Sequence, residues 1–488
     1  MKDLIKHSTI YILLGFLPTA VNFIMVPLLT SYLSKEEYGL LSISALFQGF
    51  IAIFMNIGLD AAFARYYFNV YKKRKLLHAY FSTVLLAVLA ISVLLFGILL
   101  IGGDSFLQLV FKNNRYHFSD YGVMTFVLAL SMILHTIILS YYRNEENLKM
   151  YALFSIVTLA FTVVGILVGV VWLNKGAYGN IVGRSIAFSG VVLLYLIWYF
   201  RNRTLVVRLT YLKEMLKYGV PFVPYLIILL MNSSLDQWMM ERHFTLSELG
   251  EYNFAFQLAS LVSVFIYAVF NAISPRMYKL MAENDRIHDS EIGNLNRIFH
   301  FVVVFAIVAE LAIISPFTTL VIHNKEYHSM LSYIPLLIIS WLPHLYYMLY
   351  VIPIMFYNKT RFLPLITAVA LAVGLTANLI LIPLWGVIGV CASAIIIKIT
   401  SFAVTSIVGK RLRILEPKHF QLGKNHLLAI LVFGAFIAVY LTNDYFEQRY
   451  RTWINLLPLV VFLAYSLVAF RKEINIVLTL FSKKKTEV

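Results

Sequence analysis

The charged residues that stand well inside the long apolar stretches of this 488-residue chain are Arg184, Lys398, Asp60, Asp236 and Glu310. A charge at membrane depth is costly unless it faces protein or water. Each therefore needs a reason to be there. Arg184 lies about eight residues into its stretch, roughly 12 Å at the helical rise of 1.5 Å per residue. Lys398 lies about twelve residues into its own, roughly 18 Å deep. Cations so placed can hold a phosphate or a carboxylate. Carboxylates so placed can take up a proton or a sodium ion, and Glu310, nearest the middle of its stretch, is the best placed for that role. Asp60 stands five residues before Arg65, and Asp236 lies near Glu241 and Arg242. For these two a local salt bridge or an interfacial charge is the stronger expectation.

Amides in the same stretches add hydrogen-bonding capacity. Asn22, Gln48, Asn232 and Gln257 offer both donors and acceptors, which suits a sugar as well as a neighbouring helix. His135 and His344 have no second ligand at a useful spacing and read as packed or interfacial residues. The single cysteine, Cys391, excludes an intramolecular disulfide framework and a Cys-based metal motif. No phosphate-binding Gly-rich loop and no His-Glu-x-x-His motif occurs. The stretches between apolar segments are short. Neither a catalytic site nor a metal site is expected, and no cofactor beyond a coupling proton or sodium ion.

The elements that position these residues follow from composition. Apolar residues make up 60% of the chain and charged residues 13%, with a mean hydropathy of +0.80. Soluble domains carry about 25% charged residues. Apolar runs repeatedly reach the roughly 20 residues that span a bilayer as a helix. Alternating segments typical of a membrane barrel are missing. Fourteen spans are expected, near 8–33, 39–64, 78–101, 119–142, 151–173, 177–200, 215–240, 250–273, 297–322, 330–356, 362–383, 386–408, 426–442 and 453–470. In lipid the backbone must satisfy its own hydrogen bonds, so the fold class is an all-α polytopic membrane protein. The first run, His7 to Leu33, is too long for a signal-peptide core and reads as a retained helix.

The net charge of +16 fits cytoplasmic loops better than a nucleic-acid partner. With the N-terminus placed in the cytoplasm, most Lys and Arg residues fall on that side. The basic loops are Lys72-Lys73-Arg74-Lys75, then Arg201, Arg203, Arg208 and Lys213, then Lys410, Arg411 and Arg413, and the tail Lys483-Lys484-Lys485. Both termini are expected to be cytoplasmic.

The chain also repeats itself. KDLIK at Lys2–Lys6 resembles KEMLK at Lys213–Lys217, 211 positions on. The same offset pairs Ser34 with Thr245, Glu37 with Glu248, Gly39 with Gly250, Arg65 with Arg276 and Tyr67 with Tyr278. Gly176-x-x-Gly179 matches Gly386-x-x-Gly389 at an offset of 210, which maps Lys398 onto Phe188, one helical turn beyond Arg184. Two six-helix lobes follow, 1–200 and 213–408, related by a pseudo-two-fold axis along the membrane normal. Residues 201–212 would link them. A basic linker, 409–424, would precede a terminal helix pair and basic tail over 425–488. Pro18 and Pro27 in helix 1 and Pro221 and Pro224 in helix 7 favour bends that could serve a moving gate.

The stretch YLSKEEYGLLSISALFQGFIAIFMNIGLDAAFARYY, with Glu37-Tyr38-Gly39, Gly58-Leu59 and the closing Arg65, resembles the Wzx-type polysaccharide flippases. These are a branch of the multidrug/oligosaccharidyl-lipid/polysaccharide exporter superfamily. The resemblance implies an oligosaccharide carried on undecaprenyl pyrophosphate, moved from the inner to the outer leaflet of the bacterial cytoplasmic membrane by alternating access. Membrane lipids, a polysaccharide polymerase and glycosyltransferases are the partners it implies. Arg65, Arg276, Arg184 and Lys398 are then the candidates for the anionic head. Two other readings stay open. Lipid II flippases also have fourteen helices but carry arginine in helix 1, which here has no charge from Ser8 to Leu33. Cation-coupled drug exporters are the third.

Overall fold

The computed structural model describes residues 2–70, 73–113, 115–201, 203, 206–283, 288–322, 324–412, 424–442 and 456–469. Lys72, Arg413, the tail lysines Lys483, Lys484 and Lys485, and most of the 409–424 linker lie outside the described residues. Among the described residues there are helices and no strands. The order begins α1 Lys2–Tyr32, α2 Lys35–Asn56, α3 Leu59–Val70, α4 Arg74–Val110, α5 Val123–Asn144, α6 Leu148–Leu167 and α7 Gly176–Phe200. It continues with α8 Leu209–Gly219, α9 Val223–His243, α10 Leu246–Ala259, α11 Leu261–Glu283 and α12 His288–Val321. Last come α13 Ile334–Ile339, α14 Trp341–Phe356, α15 Leu363–Trp385, α16 Val387–Arg411, α17 Lys424–Thr442 and α18 Leu457–Ala469.

Among the described residues, eleven helical segments are long and apolar enough to cross a membrane. Three shorter apolar helices, Leu17–Tyr32, Leu427–Phe436 and Leu457–Val468, fall at the first, thirteenth and fourteenth expected spans. Large apolar side chains point outward along these helices, as with Ile101 at 94% and Trp172 at 81% exposure. Such surface is at home in hydrocarbon and nowhere else on this scale. The chain is a multi-pass membrane protein.

Several expected spans are interrupted. The second divides at Ile57 and Gly58, whose φ angles of 44° and 71° end α2 and start α3. The seventh narrows to a 3-10 turn over Val220–Phe222, where Pro221 removes an amide donor. The eighth breaks at Ser260 between α10 and α11, and the tenth at Ser340 between α13 and α14.

Two compact units result: Met1–Phe254 with Gly374–Val390, and Ala255–Val373 with Cys391–Val488. In the first unit α6 and α7 pack closely. Gly165 faces Gly183, and Gly169 faces Gly179; a Cβ on any of the four would strike the opposite backbone. Small residues at this spacing let helix backbones approach, which is how helices associate where lipid removes the hydrophobic drive. Ser185, on the next face of α7, donates to the Met124 carbonyl at 2.8 Å. In the second unit α11 packs on α12, with Met277, Leu280, Ile292 and Ile352 buried together. Phe301 and Phe305 of α12 close on Phe462 of α18, at 5.3 and 5.6 Å between ring centroids.

Candidate functional site

The repeated turn forms two matching caps. Ser34 precedes α2: its amide donates to Glu37 Oε2 at 2.9 Å, and Glu37 N donates back to Ser34 Oγ at 3.2 Å. Thr245 precedes α10 in the same way, at 2.9 Å and 3.3 Å. Each reciprocal pair satisfies two amides that a helix start leaves open. Glu37 does more, because its Oε1 also accepts from Ala177 N at 3.1 Å in the first turn of α7.

The two capped helix starts meet. A Cβ on Gly39 would collide with the Leu246 carbonyl, and one on Gly250 with the Lys35 carbonyl. Lys35 pairs with Glu251 beside this crossing, with side-chain exposures of 20% and 14%. Tyr38 meets Phe254 edge-on at 6.0 Å. The crossing is strapped from the side by the last turn of α4 and by residues 111–113 and 115–117. Asn113 N donates to Glu241 Oε1 at 2.8 Å, the Trp238 indole donates to the Val110 carbonyl at 3.3 Å, and Arg242 donates to the Leu109 carbonyl at 3.1 Å. The last carbonyls of α4 thus find donors on α9. Arg115 pairs with Glu36. The Tyr116 hydroxyl lies 2.7 Å from Thr125 Oγ1, and burial pushes this phenol up to about 12.

Arg184 is half-buried on α7 and makes no hydrogen bond or ion pair among the described residues. Phe188, one turn on, meets the His135 ring at 5.1 Å, and His135 lies tilted at 4.8 Å from the Phe154 ring. Lys398 on α16 is differently housed. Its ammonium donates to Ser340 Oγ at 2.6 Å and sits 3.7 Å from the centroid of Trp341. His344, one turn beyond Trp341, lies 3.5 Å from the Tyr267 hydroxyl. Lys398 thus rests against an aromatic ring in its unit, whereas Arg184 has no ring contact of this kind among the described residues.

The other two arginines are exposed. Arg65 stacks over Tyr218 at 4.6 Å. Arg276 reaches Glu291 Oε1 through Nε at 2.9 Å and Nη2 at 2.5 Å. Their matching sequence positions therefore carry unlike contacts.

The acidic residues separate by environment. Asp60 belongs to the break between α2 and α3: its Oδ1 accepts from Asn56 Nδ2 and Ala61 N, both at 2.7 Å. Asp236 is half-buried on α9, with Gln237 beside it bonded to Asn253 at 3.0 Å. Glu310 is half-buried on α12, and its Oε1 is sealed from solvent with no hydrogen-bond partner among the described residues. Among the amides, Gln48 donates to Met132 Sδ at 2.9 Å, Asn232 and Gln257 are half-buried, and Asn22 is exposed on α1.

Sequence spacing did not point to Lys35, Glu251, Glu241, Ser340 or Trp341. Lys35 and Glu251 are not repeat partners, since Lys35 maps onto Leu246 at the 211 offset. Their association depends on how two distant helix starts cross. Trp341 is one aromatic among many in its span, and only the turn at Ser340 brings it under Lys398.

A family model described as polysaccharide biosynthesis protein matches residues 4–281. A curated relative, Lsg locus putative protein 1 of Haemophilus influenzae, is 25% identical over 287 residues, covering 57% of this chain and 67% of the relative. Among solved structures, the lipid II flippase MurJ in an inward closed conformation aligns at TM-score 0.70 and 15% identity over 95% of this chain and 99% of that one. An inward-facing multidrug resistance MATE family transporter of the MOP superfamily aligns at TM-score 0.65 and 14% identity, over 80% and 94%. At these identities the solved structures share the fold.

Proposed function

Because this chain belongs to the polysaccharide biosynthesis protein family, we propose that it flips an oligosaccharide linked to a polyprenyl pyrophosphate from the inner to the outer leaflet. The family match and the shared fold with a flippase support a membrane flippase or exporter. Undecaprenyl pyrophosphate is the lipid carrier in this reading, and the setting is a bacterial cytoplasmic membrane with both termini inside. The end of the molecule carrying Gly39 and Gly250 then faces outward. A polymerase and glycosyltransferases act on either side of the step.

One observation carries the reading. Arg184 sits in a membrane-spanning helix without hydrogen bond or ion pair among the described residues. A guanidinium there is stabilised by an arriving anion, and it suits phosphate because its planar fork can bond two oxygens. Lys398 supplies a second cation on the matching helix of the other repeat. Arg65 and Arg276, exposed within α3 and α11, are the proposed first contacts for a headgroup. Asn22, Gln48, Asn232 and Gln257 are the proposed sugar contacts. Coupling to a proton or sodium gradient is assigned to the intramembrane acids, Glu310 ahead of Asp60 and Asp236. Alternating access moves the headgroup while the lipid tail stays in the bilayer.

The test is deletion of the gene, followed by extraction of lipid-linked repeat units and measurement of surface glycan. Accumulated inner-leaflet precursor with depleted surface glycan is expected, and normal glycan in a strain without a paralogue overturns the reading. Arg184→Ala with Lys398→Ala should lower export at least about tenfold, the loss that 1.4 kcal/mol of binding produces, with the protein still in the membrane. A second reading, lipid II transport, is favoured by the near-complete alignment with MurJ. It requires lysis on depletion rather than loss of surface glycan alone.

A further inference from the structure

Glu310 and the helix break at Ser260 belong to one device. The carboxyl of Glu310 on α12 lies against the backbone N–H of Val262, in the first turn of α11. That turn exists because α10 ends at Ala259 and the chain restarts at Leu261. The break is held locally by serines. Ser260 Oγ donates to the Gln257 carbonyl at 2.7 Å, and Ser263 N and Oγ donate to the Ser260 carbonyl at 3.0 and 2.5 Å. The amides that open α11 have no helical carbonyl to bond. Glu310 supplies an acceptor for one of them from a neighbouring helix.

The other half of the carboxyl is unused. Oε1 is sealed from solvent and bonded to nothing among the described residues. Its surroundings on α12 are Ile307, Leu311 and Ile314, all buried. The Val262 amide is the one polar group of the described residues that acts on Glu310. From the packed neighbours, α13 offers only Ile and Leu side chains and Pro335. On α11 and α14, Tyr267 and His344 bond each other, and Tyr346 of α14 bonds His300 of α12 itself; α14 also carries Tyr347 and Tyr350, and residues 325–332, packed on α12, carry Glu326 and Tyr327. Arg276, Lys279 and Glu283 lie at the far end of α11, where Arg276 pairs with Glu291 and Lys279 with Glu283. Tyr465 is the titratable residue of α18, and the described side chains of α17, from Leu427 to Phe436, carry no titratable group.

We propose that Glu310 is the proton-binding site of the transport cycle and that its protonation sets the strength of the α10–α11 break. This rests on the flippase reading above. The ionised carboxylate bonds the Val262 amide strongly and favours the positive end of the α11 dipole. It therefore holds the break. On proton uptake the negative charge is lost, the cap weakens to a neutral hydrogen bond, and α11 is freer to pivot at Ser260. A proton fits better than a metal ion. Sodium, like other hard cations, needs a shell of several oxygens, whereas the site offers one unused oxygen, and the serine hydroxyls around the break already donate to carbonyls. No group of three or more His, Cys, Asp or Glu that could hold a metal occurs among the described residues.

The test uses the purified full-length protein in lipid nanodiscs. Infrared difference spectra across a pH step should show a carboxylic-acid band that Glu310→Gln removes. The protection of the amides after Ser260, taken relative to the intrinsic exchange rate at each pH, should fall at least about threefold as the pH falls through the same step, a change of about 0.6 kcal/mol in local opening. Glu310→Gln, which keeps an acceptor but no charge, should show the low protection at every pH. A protection in the native protein that does not change with pH, or a carboxylic-acid band that survives Glu310→Gln, overturns the proposal. These readouts need no substrate. If they succeed while deletion leaves surface glycan normal, the flippase reading fails and the device stands. If they fail while deletion depletes glycan, the reverse holds.

Discussion

Gly39 and Gly250, equivalent residues of the two repeats and 211 positions apart, meet at the crossing of α2 and α10. A Cβ built on Gly250 would stand 2.8 Å from the Gly39 amide nitrogen. The repeat thus brings its own two copies together, and the lack of a side chain is what lets the backbones touch.

Replacing either glycine should open this crossing. Overpacking costs about 1–3 kcal/mol even where side chains can yield, and here the obstacle is backbone. Gly250→Val is expected to lower the thermal midpoint of the purified protein and to reduce export in cells. An unchanged midpoint together with normal surface glycan would show that the crossing is not tight in the working protein.

The Lys35–Glu251 pair makes a charge-reversal test possible. Lys35→Glu places two carboxylates at a mostly buried contact, and export should fall about fivefold, as about 1 kcal/mol implies. The double reversal, Lys35→Glu with Glu251→Lys, should recover most of that loss. Failure of the double variant to recover, with both proteins present in the membrane, would separate the pair from function.

Glu241 anchors the strap. Glu241→Ala takes the acceptor from the half-buried Asn113 amide, a loss of about 1 kcal/mol. Glu241→Gln keeps an acceptor and should cost less. Proteolysis within residues 111–117 of the purified variants reads the difference: cleavage faster in Ala than in Gln is expected, and equal rates would remove Glu241 as the anchor.

Much of the fold was legible along the chain. Hydropathy marked the spans, and the 211-residue offset showed Ser34–Glu37 and Thr245–Glu248 as a repeated pattern just ahead of two of them. The breaks were less legible. Pro221 announced one, and Pro335 and Pro343 flank the break at Ser340, but nothing in the residues around Ser260 distinguishes a kinked span from a straight one. Of the candidate site residues, Arg184, Lys398 and Glu310 stood out because charge is rare in such helices. Asp60 stood out for the same reason, yet it serves the local turn at Ile57 and Gly58, bonded to Asn56 and Ala61.

The sequence by itself determined a helical membrane protein with a duplicated helix start, because hydropathy, capping and repeat offset are all properties of neighbouring residues in the chain. Tertiary structure alone decided that Gly39 faces Gly250, that Lys35 finds Glu251, that Lys398 rests on Trp341 and that Glu310 reaches Val262. The reason is geometric. A helix apolar on every side does not reveal which face meets a neighbour, so contacts between distant helices are set by how they cross and rotate once packed.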